Sequence, residues 1–175
     1  MATTVNNSTL TTTTSDRLIL NGVTYGSTTT LEQSNSDEVY NRIMTIPAYK
    51  ESGGVMTQDF VSIVSATNAP NSAGDVDINY FQYARITNLD DTYPMWIKIT
   101  DNTSTVSVGM SYVVRVPKGS SYIAYKPEFF ANSRDINAQT VETARTYNSA
   151  FVVSAIADKN TGSDGVDIEV FVVTK

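Results

Sequence analysis

A chain of 175 residues can bury a full core within one domain. Its apolar share of 41% and charged share of 17% are low, and Thr, Ser and Asn fill the difference, the balance of an all-β protein with a polar, uncharged surface. A net charge of −6 with scattered Lys and Arg argues against nucleic acid or an anionic membrane as partner, and the lack of Cys and His excludes disulfides, Ser-His-Asp and Cys-His catalysis and the common zinc ligand sets.

Residues Met1 to Asp16 are low-complexity Thr, Ser and Asn with two isolated apolar residues, Val5 and Leu10. Such a segment has too little to bury to order itself, so it reads as an extended N-terminal arm anchored on a neighbouring subunit by Val5 and Leu10. No basic and apolar leader pattern is visible in it, and no run in the chain approaches the ~20 apolar residues of a membrane span. Residues 17–175 are then one β-sandwich domain. Arg17 to Tyr25 reads as strand, Asn21-Gly22 turn, strand, and its Leu18 and Leu20 are candidate interface residues. A polar stretch from Gly26 to Asp37 follows. Glu38 to Ile46 suits a strand or a short helical turn, ended by Pro47, and Gln58 to Ala66 a strand.

The pattern is strongest from Asp75 to Thr100. Two β-branched and aromatic runs, Val76 to Leu89 and Met95 to Thr100, flank the polar joint Asp90 to Pro94, as in a long hairpin. The first arm changes phase near Phe81, which predicts a bulge or burial on both faces. Strands follow at Thr105 to Val108, Met110 to Val116, Ser121 to Tyr125, Tyr147 to Ala157 and Val166 to Thr174. Glu128 to Thr146 lacks a period of two and reads as a long connection with at best a short helix. In it the adjacent Phe129 and Phe130 must point opposite ways if extended, leaving one as an exposed anchor for an interface. About nine strands with frequent turns predict an antiparallel sandwich, jelly roll or barrel.

Chemistry must come from carboxylates. Asp75, Asp77, Asp167 and Glu169 are the candidates for a glycan-cleaving pair, although on strand ends and polar strand faces such residues more often block edge pairing. Asp158 to Asp164 offers oxygens at alternate positions and partly resembles a calcium loop, but its glycine falls one place early and a polar turn explains the same residues. Neither motif calls for a metal or other cofactor. Tyr80, Phe81, Tyr83, Tyr93, Trp96, Tyr112, Tyr122 and Tyr125 would serve a sugar-binding platform or, more ordinarily, a core and a subunit interface.

Three stretches, YFQYARITNLDDTYPMWIKIT, YVVRVPKGSSYIAY and AFVVSAIADKNTGSDGVDIEVFVVT, together resemble the small β-sandwich structural proteins of tailed-phage virions over roughly Val76 to Lys175. The resemblance carries no catalytic residue. It implies assembly in a virion formed in the host cytoplasm: a capsid cement or decoration protein, or a neck, tail or baseplate component. Its partners would be the major capsid protein or other virion proteins, and copies of itself in a homo-oligomer. A carbohydrate-binding module is the alternative from a different class.

Overall fold

The computed structural model describes residues 8–36, 38–49, 51–52, 55–56, 60–67, 75–77, 80–102, 111–125, 150–158 and 165–175. These form strands and no helix, as Thr-, Val- and Tyr-rich runs broken by Asn, Gly and Pro dictate. In chain order the strands are β1 (Thr9–Ser15), β2 (Leu18–Leu20), β3 (Val23–Tyr25), β4 (Thr28–Ser34), β5 (Glu38–Ile46), β6 (Glu51–Ser52), β7 (Val55–Met56) and β8 (Val61–Thr67). They continue with β9 (Asp75–Asp77), β10 (Phe81–Asn88), β11 (Met95–Asn102), β12 (Ser111–Val116), β13 (Ser121–Tyr125), β14 (Ala150–Ala157) and β15 (Val166–Thr174).

Nine of them build two sheets, four-stranded β13-β10-β15-β5 and five-stranded β12-β11-β14-β8-β9. Every pairing is antiparallel except the short β8–β9 contact. The expected alternation in β15 holds: Val166, Ile168, Val170 and Val172 are fully buried. They meet Ile97, Val153 and Ala155 of the other sheet in one continuous core, so the arrangement is sandwich-like, with no closed barrel. Arg42 on β5 ties the layers, donating from Nη2 to the Ile63 carbonyl of β8 at 3.0 Å.

The central stretch departs from the predicted hairpin. β10 pairs with β13 and β15, and β11 with β12 and β14, so the two arms lie in different sheets. The joint from Leu89 to Pro94 is long enough to cross the ~10 Å between layers, and both edges of each arm are already taken by other strands. The joint turns on Asn88, which is completely buried. Its Nδ2 donates to the carbonyls of Tyr93 (2.9 Å) and Pro117 (3.3 Å), and its Oδ1 accepts from the Asp90 N–H (3.0 Å). Asp90 then caps the turn, accepting from the N–H groups of Thr92 and Tyr93, both at 2.7 Å. The phase change near Phe81 is a register shift between Phe81 and Tyr83 against β15, and β10 beyond it buries residues on both faces.

The strands on either side of the Pro117-Lys118-Gly119 turn, β12 and β13, also belong to opposite sheets. Their Tyr112 and Tyr122 hydroxyls meet at 3.0 Å and close that flank of the sandwich. Glu38 to Ile46 is a strand throughout rather than a helical turn. Thr105 to Val108 and Glu128 to Thr146, with Phe129 and Phe130, lie outside the described residues.

Candidate functional site

Among the described residues the expected arm is not single-stranded from Thr9 to Ser15: β1 pairs along its whole length with β4, which lies inside the polar stretch Gly26 to Asp37. Both segments are rich in Thr, a β-branched residue that favours extended chain even where there is nothing to bury. Beyond them β2 pairs with β3 around Asn21-Gly22, whose φ values of 50° and 78° fit the tight turn that suits strand twist. All the pairs stay symmetric about this turn, from Leu20 opposite Val23 out to Thr9 opposite Ser34. The result is one two-stranded ribbon, about 40 Å from Thr9 to Leu20 at ~3.4 Å per residue.

Its root is fastened to the outer face of the four-stranded sheet. Thr12 hydrogen-bonds the Tyr83 phenol through its side chain, and Ser36 donates to Gln82 Oε1 at 2.9 Å. Leu10, Thr12 and Gln33 are half-buried there, so Leu10 serves the chain's own root. Tyr83 is 3% exposed, and burial raises its phenol above the ordinary 10.0, an effect that the Arg85 charge opposes.

From Thr13 to Glu32 every residue is exposed. The register sets Leu18 opposite Tyr25 and Leu20 opposite Val23, and opposed residues share a face. Four large apolar side chains therefore cover one side of the tip, with Ile19 on the other; Leu18 is 59% exposed and Leu20 54%. The predicted interface residues Leu18 and Leu20 thus come together, whereas Val5 lies outside the described residues. Val23 and Tyr25 complete the patch, with Ile19 on the reverse side, and the alternation of Arg17 to Tyr25 around its turn was the signal for them.

A second exposed apolar stripe lies on β5. Val39 and Ile43 point away from the core at 63% and 69% exposure, while Tyr40, Met44 and Ile46 pack into it. Among the described residues β5 pairs only with β15. A cleft of about 690 Å³ is lined by Glu38, Val39, Asp75, Asp77, Tyr80 and Lys175, among others.

The other candidates are held by structural partners. Asp167 accepts from the Thr45 hydroxyl at 2.6 Å, and Glu169 pairs with Arg85 Nη2 at 2.8 Å, both on the outer face of β15. Asp75 and Asp77 belong to β9, on the other sheet. Asp158 accepts from Arg115 Nε at 3.1 Å, while residues 159–164 of the calcium-like loop lie outside the described residues. Among the described residues no group of three acidic side chains is arranged to hold a metal. The aromatics are dispersed: Phe81 and Tyr83 are buried, Tyr125 packs on Tyr83 at 5.4 Å, and exposed Tyr80 and Tyr93 flank opposite ends of β10.

No protein-family model matches the chain, and no curated protein or solved structure is significantly similar to it.

Proposed function

We propose that this chain is a non-enzymatic structural protein of a tailed-phage virion, a cement or decoration protein that stabilises the capsid through contacts between subunits. The observation that supports this reading is the ribbon tip, where Leu18, Leu20, Val23 and Tyr25 stand in water on a two-stranded stalk. An isolated two-stranded hairpin is marginal in water, and apolar side chains at its end add nothing to folding unless a partner covers them. The stem suits the role: it is mostly Thr and Ser, with Glu32 the one charged residue of β1 and β4, so lying against another protein would bury little charge. The resemblance of residues 76–175 to virion sandwich proteins supplies the setting, and many such contacts on a symmetric shell add as avidity.

The test uses shells of the phage that encodes the chain, stripped of it. The purified chain should rebind them and raise their resistance to heat, and Leu18→Ser/Leu20→Ser should bind more weakly. Stained gels of whole particles distinguish the locations: hundreds of copies fit cement, and a handful fit a neck or tail ring. A chain that neither rebinds shells nor occurs in particles defeats the reading.

A further inference from the structure

We infer that Asn21, at the far end of the ribbon, is a site of spontaneous deamidation, and that its conversion disables the apolar tip. The modification follows from the turn alone. Its consequence rests on the reading of the tip as a contact surface and gives that surface a way to be retired.

Asn21-Gly22 is the only Asn-Gly pair in the chain. An asparagine loses its side-chain amide when the backbone nitrogen of the next residue reaches the amide carbon, and glycine, without a side chain, leaves that nitrogen least guarded. The turn adds to this. Both residues are exposed, and a side chain built on Gly22 would meet nothing within 4 Å, so no neighbour covers the attacking atom. The Gly22 N–H, between the paired Leu20 and Val23, is bonded to no other described residue. Other asparagines differ. Asn35 precedes buried Ser36, whose N–H donates to the Ser8 carbonyl at 3.4 Å, and Asn88 precedes Leu89, whose N–H donates to the Asp167 carbonyl at 2.9 Å. Asn41 precedes Arg42, which is held in β5 against β15.

In the reaction the Gly22 nitrogen gives its proton to a base and bonds to Asn21 Cγ. The Cγ–Nδ2 bond breaks, and Nδ2 takes up a proton and leaves as ammonia. Water then opens the cyclic imide at either carbonyl, giving aspartate or isoaspartate. The ring needs the Asn21–Gly22 peptide turned out of its type I′ position, where φ is 50° and 78°, so the turn must open first. Only the exposed pairs Leu18–Tyr25, Ile19–Thr24 and Leu20–Val23 hold it shut, and a two-stranded end of this kind opens readily. A partner seated on the tip would keep it closed. Either product harms the apolar face: aspartate sets a charge beside Leu20, and isoaspartate adds a backbone atom that a two-residue turn does not absorb. Conversion thus accumulates on uncovered chains and takes them out of assembly.

Mass spectrometry on the full chain, aged at mildly alkaline pH, tests this. Trypsin releases residues 18–42 as one peptide carrying Asn21, Asn35 and Asn41, and an isoaspartyl methyltransferase labels the isoaspartate. Asn21 should convert about tenfold faster than Asn35 and Asn41, and faster still as pH rises. Asn21→Asp should keep the parent circular dichroism, since Asp-Gly suits the same turn, yet bind stripped shells about tenfold more weakly. Chain bound to shells should keep its Asn21 longer than free chain. An Asn21 that survives as long as Asn35 and Asn41 overturns the site. An Asn21→Asp chain that binds like the parent, or an Asn21 that converts as fast on shells as in solution, overturns the consequence and leaves the virion reading standing. A parent that converts at Asn21 yet ignores shells supports the site and defeats the virion reading instead.

Discussion

Replacing Asn88 should damage the fold more than any surface change, in a pH-dependent way that follows from its three bonds. The residue is fully buried at the crossing between sheets, and Asn88→Ala leaves the Tyr93 and Pro117 carbonyls and the Asp90 N–H without their side-chain partner. A buried polar group left unpaired costs about 1–3 kcal/mol, and the turn can relax enough to wet some of them, so the expected loss is about 3 kcal/mol. Asn88→Asp has nearly the same shape but reverses the chemistry, because an ionised carboxylate cannot donate to two carbonyls. Burial raises the folded-state pKa of the introduced carboxyl above its unfolded value near 3.9. The charge penalty is therefore absent below that value, grows by about 1.4 kcal/mol per pH unit as pH rises, and levels off above the folded pKa. Urea unfolding followed by the fluorescence of Trp96, the chain's single tryptophan, gives both numbers once the parent's own pH dependence is subtracted. A loss under about 0.5 kcal/mol for Asn88→Ala, or a flat difference curve for Asn88→Asp, would refute the claim that this side chain holds the crossing.

Three smaller tests follow from other contacts. A methyl group at Gly165 would collide with the Ile46 carbonyl and the Thr45 methyl where β15 begins beside β5, so Gly165→Ala should lose about 2–3 kcal/mol in the same urea assay. Tyr83 keeps its proton more tightly in the folded state than in the unfolded one, so its contribution is intact below pH 10.0 and is lost as pH rises through the folded value. Tyr83→Phe should therefore flatten the alkaline limb of the stability profile, while the lost bond to Thr12 costs about 1 kcal/mol near neutrality. The Arg85–Glu169 pair is partly solvated on both sides, so Glu169→Gln should change stability by no more than about 1 kcal/mol, with the difference shrinking in added salt.

The parts legible in the sequence were those whose signal is local. β15 alternates because one face is buried along its whole length, and Asn21-Gly22 announces its turn because few other pairs adopt those angles. The joint at Leu89 to Pro94 looks the same whether it closes a hairpin or crosses between layers. The difference lies in β13, β15, β12 and β14, which take the lateral hydrogen bonds and come later in the chain. The ribbon stem was hidden for another reason. Only Leu10 and Thr12 of β1 are half-buried, too few to mark an apolar period, and Thr9 to Ser15 reads by composition as tail. One clue was present: runs of Thr lie at equal distances on either side of Asn21-Gly22, and Thr13 pairs with Thr30 and Thr14 with Thr29. At the candidate site Leu18 and Leu20 stood out as apolar residues in a polar region, whereas Val39 and Ile43 looked like ordinary members of an alternating strand. Their exposure depends on which face of β5 the second sheet covers.

The distribution of apolar side chains separates what folds this chain from what it does. In the sandwich they are inside, and Phe81, Ile97, Val153 and Ile168 are removed from water completely, which accounts for stability without reference to any partner. In the ribbon the order is inverted, with hydroxyl-bearing residues along the stem and Leu, Ile, Val and Tyr at the end farthest from the core. Folding alone would favour polar residues at such a tip, since exposed apolar ones reward misassembly as readily as assembly. The covering of the tip in an assembly, as proposed, would account for this inversion. The stem adds to the same reading: sheet-forming and mostly hydroxyl-bearing, with Glu32 the one charged residue of β1 and β4, it sets the apolar end apart from the sandwich core.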